Sequence, residues 1–248
     1  MAFVGIQTSV RRRLTRTMMY LVLGTVLALA VSGWFLLVSP SLDSIARARI
    51  GQLGALVQAQ LHRLASTTDR QLKITASWLS SEGASLDHRT LNRRYMPILA
   101  QYPEYSSILI ADTGGSEWLL LHKPDGGWMN RLTSPDDTDG KHRFLHWTNS
   151  ETLEQDESQE SDYNPLKRPW FREAMRSPPG QTAWTEIYRF FTLREPGVTA
   201  AMRLPTAGGS ELVIGLDLRL IDIARHLNSV RLGHSGQAML LTAEGRVL

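Results

Sequence analysis

The sequence contains no cysteine. That excludes a disulfide framework, a thiolate metal site and a cysteine nucleophile. Several chemical motifs are missing as well. There is no Walker loop, no dinucleotide glycine fingerprint and no H-E-x-x-H pair. No G-x-S-x-G elbow occurs. Acidic residues are absent from the first 17 positions, which hold Arg11, Arg12, Arg13 and Arg16. The net charge of +3 over 248 residues therefore resolves into a +4 leading segment and a body of −1. A basic footprint spread over a folded face is not what this distribution describes, so nucleic acid is not an expected partner.

The same leading segment prefaces the longest apolar run. Met18 to Val38 carries no charge over 21 residues, and Trp34 stands near its far end. At 1.5 Å per residue that run spans a hydrocarbon core of ~30 Å. Arginines before it orient it with residues 1–17 in the cytoplasm and the rest of the chain outside, periplasmic or extracellular. Ala28-Leu29-Ala30 has the form of a signal-peptidase site but lies in mid-run. A cleaved signal has an apolar region of only ~7–15 residues. The expectation is an uncleaved inner-membrane anchor, single-pass in this chain.

After Pro40 the sequence predicts one long helix from Leu42 to about Ser81. Ile45, Leu53, Leu56, Val57, Leu61, Leu64, Leu72 and Leu79 trace a single stripe at helical spacing. Such a helix is ~60 Å long. Its stripe serves either as a homodimer seam or as a face packed on the domain it carries.

A second helix is expected at 90–100, and then the period changes to two. Strands are expected at 106–111, 117–122, 128–133, 183–190, 198–204, 211–218 and 237–242, with short helices at 167–175 and 220–228. Asp112-Thr-Gly-Gly and Pro124-Asp-Gly-Gly supply turns. Residues 134–162 are polar and rich in acids, and read as a solvated loop. Ile108 to Gly114 and Leu240 to Gly245 echo one another as apolar strand, alanine, acid and glycine turn. The echo points to two related subdomains in series, the second only begun at Leu248. A sheet of one or two strands leaves faces and edges uncovered. The expectation is therefore the N-terminal part of a longer protein.

Candidate chemistry is sparse. Asp112-Thr113-Gly114 has the aspartic-protease triplet, but no second copy is present. His142 and His146 stand four apart without an evident third ligand, so no metal site is assigned. No catalytic residue, cofactor or metal is expected. The informative stretch is Tyr163-Asn-Pro-Leu-Lys-Arg168-Pro-Trp170-Phe171. Arginine offers a planar fork for a carboxylate, and the aromatics offer apolar walls that also face cations. Later, Asp217 ends an otherwise apolar strand, Ile214-Gly215-Leu216-Asp217. Arg168 and Asp217 could hold the two ends of an α-amino acid, or could form a structural ion pair with Trp170 in the core.

Tyr163-x4-Arg168-Pro-Trp170-Phe171 is followed by Ala183-Trp-Thr-Glu-Ile-Tyr188, by Val198-Thr199-Ala200 and by Val213-Ile-Gly215-Leu-Asp217-Leu218. This succession resembles the double Cache (dCache) extracytoplasmic sensor domain of bacterial transmembrane receptors, over roughly residues 42–248. The resemblance implies an α+β fold. A transmembrane helix (18–38) follows the basic tail (1–17), and a long stalk helix (39–82) leads to a membrane-distal PAS-like antiparallel-sheet subdomain (83–219). A linker helix and the start of a membrane-proximal PAS-like subdomain occupy 220–248. It further implies a receptor dimeric through its stalk, sensing a small ligand for chemotaxis or another output. In the amino-acid-binding subset, Tyr163 and Trp170 would line the site, Arg168 would take the ligand carboxylate and Asp217 its amine. Phe171 stands where that subset usually has tyrosine, and Tyr188 is a further contact. An amino acid is the favoured ligand, with other carboxylates and amines open. The alternative is a membrane-anchored protein-interaction module without a small ligand.

Overall fold

A computed structural model of the chain describes residues 3–34, 36, 39–82, 87–135, 141–206 and 210–228. Its contacts fall into two compact units, Met1–Gln58 and Ala59–Leu248. In the first unit, helix α1 spans Phe3–Gly33. Within it, Arg13–Gly33 is long and apolar enough to cross a membrane, with a mean hydropathy of 1.7 and none of it buried by protein. Helix α2, Ser39–Glu82, begins in the first unit and ends in the second.

The second unit is a nine-stranded antiparallel sheet with helices on it. Helix α3 (His88–Gln101) leads into β1 (Ser107–Asp112), β2 (Glu117–His122), β3 (Trp128–Thr133), β4 (Lys141–Trp147) and β5 (Leu153–Glu160). Helix α4 (Pro169–Arg176) follows, then β6 (Ala183–Trp184), β7 (Tyr188–Arg189), β8 (Pro196–Pro205), β9 (Glu211–Arg219) and helix α5 (Leu220–Asn228). The strand order is β5-β4-β3-β2-β1-β9-β8-β6, with β7 also paired to β8. The chain thus builds a meander outward from β1, then returns to lay β9 on the other side of β1.

Alternation along the strands gives the sheet two buried faces. One carries Trp118, Leu120, Leu145 and Trp147, each essentially without solvent exposure. Helix α3 packs on β1 and β2, its Tyr95 ring 5.6 Å from that of Trp118. Here Asn92 and Asn130 exchange reciprocal amide hydrogen bonds of 2.8 and 2.9 Å, and Trp147 Nε1 donates to Asn130 Oδ1. The reciprocal pair satisfies amides that burial would otherwise penalise. The α3 helix begins at Asp87, whose carboxylate accepts the Thr90 N–H. The other face carries Leu109, Leu119, Leu121, Ala201 and Val213, covered by Trp170, Phe171 and Ala174 of α4.

The strands expected at 106–111, 117–122, 128–133, 198–204 and 211–218 are found, as β1, β2, β3, β8 and β9, within about two residues. The long helix of the stalk stripe is also found. Leu64, Leu72 and Leu79 of that stripe are buried within the second unit, while Leu56 and Leu61 are exposed. Ile45 has a side chain outside the described residues, as have the strand expected at 237–242 and the second half of the sequence echo.

Two expectations are corrected. The polar run at 134–162 is not simply a loop, because β4 and β5 lie in it. His142, Leu145 and Trp147 face inward, and the acids of β5 point mostly to water along a sheet edge. An edge strand needs pairing on one side only, and charge on it opposes further strand addition. The strand expected over 183–190 is broken into two pieces of two residues each, β6 and β7.

Candidate functional site

Two prolines shape the approach to the site. Asn164 caps a short 3-10 turn, Pro165–Lys167, its side chain accepting the Leu166 N–H at 2.9 Å. Pro169 then starts α4, and the residue before a proline avoids helical geometry. Arg168 is accordingly extended, with φ −76° and ψ 147°. This places Trp170 and Phe171 on the buried side of the first turn of α4.

Tyr163, Arg168, Trp170, Tyr188 and Asp217 line one cavity. Phe171 is not part of its lining. It packs edge-on against Trp170, ring centroids 5.6 Å apart, in the cluster beneath α4. Trp170 lies close against Gly215, where an added Cβ would stand 3.4 Å from Cε3 of its ring. The tighter contacts of that Cβ would be with Thr199 and Leu109, at 3.2 and 3.3 Å.

Arg168 sits among three rings, with its guanidinium carbon 5.4 Å from the centre of Tyr188 and 5.9 Å from those of Tyr163 and Phe191. Its Nη2 donates to the Arg189 carbonyl at 2.9 Å. Among the described residues no carboxylate lies within ion-pair distance of it. The structural Arg168–Asp217 ion pair is therefore not formed.

Asp217, on β9, is buried. Ser107 Oγ donates to its Oδ2 at 2.6 Å and Thr199 Oγ1 donates to its Oδ1 at 2.5 Å. Because Thr199 spends its only proton there, the Tyr188 hydroxyl, 2.6 Å from the Thr199 oxygen, is the donor in that contact. Burial pushes the Asp217 carboxyl up to about 6, against the opposing pull of the two hydroxyls and of Arg131. Burial also pushes the Tyr188 phenol upward, so it remains a neutral donor.

Sequence reasoning missed a second charged pair at the same site. Arg131 on β3 and Glu117 on β2 form an ion pair at 2.9 Å with side chains 1% and 0% exposed. Tyr163 donates its hydroxyl to the other Glu117 oxygen at 2.5 Å, and its ring lies 3.5 Å from the Arg131 guanidinium carbon. Burial acts first on the Tyr163 phenol and raises its pKa strongly, with Glu117 adding to the effect. One signal was present in the sequence. Glu117 is in phase with Leu119 and Leu121, and Arg131 with Met129, so both charges occupy inward positions of their strands.

The loop between β7 and β8 covers the cavity with Phe191, Thr192 and Leu193. It is closed by Phe190 N–H to the Glu195 carbonyl, 2.9 Å, and by Arg194 N–H to the Phe190 carbonyl, 3.1 Å. Arg194 takes a left-handed φ of 57°. Thr192 Oγ1 accepts from Arg131 Nη1, and the Phe191 ring lies 4.8 Å from that of Tyr163. The cavity volume is about 20 Å³, room for about one water. Anything as large as an amino acid requires the lining to move apart.

The two histidines of β4 are spent separately. His142 Nδ1 lies 2.9 Å from Thr133 Oγ1, and His146 Nε2 lies 3.4 Å from Glu157. Among the described residues no three His, Asp or Glu are gathered to hold a metal ion. Asp112 closes the β1–β2 turn, its Oδ1 accepting the Ser116 N–H at 2.9 Å.

No family model matches the chain. It is 27% identical over 225 residues to the methyl-accepting chemotaxis protein PctB of Pseudomonas aeruginosa, an alignment covering 89% of this chain and 30% of that protein. It is 30% identical over 88 residues to the methyl-accepting chemotaxis protein TlpA of Bacillus subtilis, covering 36% of this chain and 13% of that one. The chain thus spans only a minor part of these relatives. Among solved structures, the ligand-binding domain of PctB in complex with L-Gln is similar at a TM-score of 0.53 and 21% identity, over 80% of this chain and 65% of that one. The sensory domain of the Campylobacter jejuni chemoreceptor Tlp3 with isoleucine bound is similar at a TM-score of 0.53 and 13% identity, over 84% and 71%. The fold that the Arg168-Pro-Trp170 succession implied is the fold found: that of the dCache-type ligand-binding domains of chemoreceptors.

Proposed function

We propose that this chain is the extracytoplasmic ligand-sensing portion of a membrane signal-transduction receptor, and that its cavity takes an amino acid. One observation carries the reading: Asp217 and Arg168 are charges of opposite sign on one cavity, and among the described residues neither forms an ion pair. A buried carboxylate held only by hydroxyls is stabilised further by an ammonium group. A guanidinium caged by rings, with donors left over, suits a carboxylate. A zwitterion supplies both. The bound ligands of the PctB and Tlp3 domains, L-Gln and isoleucine, are consistent with this chemistry.

In this reading Arg13–Gly33 anchors the protein with its arginine-rich start in the cytoplasm. Residues 83–219 are the membrane-distal subdomain and 220–248 begin the membrane-proximal one. The exposed part of the α2 stripe pairs two copies. Lifting and reclosing of the β7–β8 loop on the ligand shifts the population of stalk arrangements, by no more than the ligand's differential affinity for them.

The test is calorimetric titration of the full chain, in lipid nanodiscs, with the twenty common amino acids. Binding of at least one, abolished by Arg168→Ala and by Asp217→Asn with the fold retained, is the expected result. Binding that survives both substitutions sinks the assignment, as does a folded protein that binds no amino acid.

A further inference from the structure

We infer that the amino acid this site selects has an uncharged, apolar side chain. The inference rests on the amino-acid reading above and concerns the part of the ligand that Arg168 and Asp217 leave over. Ladder register fixes what lies beneath that part. Across the sheet, Leu121 pairs with Ser107 and Ser107 with Asp217, while in the next row Arg131 pairs with Leu119 and Leu119 with Leu109. Leu109, Leu119 and Leu121 therefore form a floor between Asp217 on β9 and Arg131 on β3. At ~4.8 Å per strand the floor extends about 14 Å. All three leucines line the cavity, and each is no more than 3% exposed. Leu193 of the covering loop closes over the same space.

Charge leads to the same side-chain class. The ligand's own ammonium and carboxylate are matched by Asp217 and Arg168. The remaining cation on the cavity, Arg131, is already neutralised. Its Nε and Nη2 both donate to Glu117, at 3.1 and 2.9 Å, and its Nη1 donates to Thr192. A side-chain carboxylate would be buried as an excess anion beside a pair that is complete. A side-chain ammonium or guanidinium would likewise be buried as an excess cation, since Glu117 is already taken by Arg131. Desolvating either is costly without a free partner. An aliphatic side chain needs none and exchanges water for leucine.

The experiment titrates the full chain in nanodiscs at pH 7.5 with L-leucine, L-isoleucine and L-methionine, and in parallel with L-glutamate, L-aspartate, L-lysine and L-arginine. The apolar set should bind at least tenfold more tightly than any of the charged set, the scale set by one or two methylenes in an apolar pocket. Tightest binding by glutamate, aspartate, lysine or arginine overturns the inference and leaves the amino-acid site standing. Silence towards all seven overturns the inference, and it overturns the amino-acid reading as well only when the rest of the twenty common amino acids are silent too.

Discussion

Arg131 and Glu117 meet side by side in the floor of the second unit, two guanidinium nitrogens on one carboxylate oxygen at 2.9 and 3.1 Å. The pair joins neighbouring strands diagonally, since Arg131 lies opposite Leu119 and Glu117 opposite Thr133. It also ties the sheet to Tyr163 and to the covering loop through Thr192. Breaking one partner leaves the other charge buried and alone. Glu117→Gln should therefore cost about 3–5 kcal/mol, seen as a Tm lowered by roughly 10 °C in a domain of this size. Replacing both at once, with Glu117→Leu and Arg131→Met, should recover most of the loss. A double variant as unstable as the single one counts against this account of the pair.

Arg168 behaves differently, because it is only partly buried and its hydrogen bond goes to a backbone carbonyl. Arg168→Ala should leave thermal stability within about 1 kcal/mol of the parent while removing stabilisation by an added amino acid. Differential scanning calorimetry with and without ligand separates the two effects. Large destabilisation without ligand would make Arg168 a structural residue.

Asp217 gives the site a pH dependence of known sign. Its folded carboxyl, at about 6, lies above the ordinary carboxylate value. Between about pH 4 and 6 the folded protein holds a proton that the unfolded chain releases, so stability declines as pH rises through that window. The effect is on the order of 3 kcal/mol at most. Asp217→Asn should flatten that part of the stability profile measured by denaturant titration. Ligand binding has the opposite slope, because an ammonium favours ionised Asp217. Calorimetric affinity for an amino acid should fall as pH is lowered from 7.5 to 5, and affinity unchanged between them argues against an Asp217–ammonium contact.

Gly197 on β8 is where the covering loop rests on the sheet. A Cβ there would lie 2.6 Å from the Leu218 carbonyl oxygen and press into the Phe190 ring. The carbonyl belongs to backbone and cannot swing aside, so Gly197→Ala should cost about 1–3 kcal/mol by overpacking. Equilibrium unfolding measures it. A neutral substitution would mean that Phe190 and its loop move freely.

Much of this protein was legible in its sequence because local pattern and local chemistry agreed. Strands β2 and β3 fall where alternation and the flanking turn residues put them. The apolar run behind four arginines falls in α1 from Met18 to Gly33. Pro165 and Pro169 preset the turn that leads to Trp170, and Tyr163, Arg168, Trp170, Tyr188 and Asp217 were all legible as candidates. Strand β5 was not, since an edge strand made of acids and glutamines carries no apolar signal and is held by pairing to a neighbour, and β4 was not, since lysine, arginine and two histidines interrupt its apolar residues.

Sequence by itself determined the membrane-length helix, most of the elements and the residue types of the candidate site, because these depend on runs and spacings within short segments. Tertiary structure alone decided which charges are paired. It gave Glu117 to Arg131, left Asp217 to two hydroxyls and Arg168 to aromatic rings, and packed Phe171 against Trp170 beneath α4. Those outcomes depend on strand register and on burial, which bring residues up to 110 positions apart within 2.6 Å, as with Ser107 and Asp217. No local pattern encodes such pairings, because a charge's partner is set by which strands become neighbours.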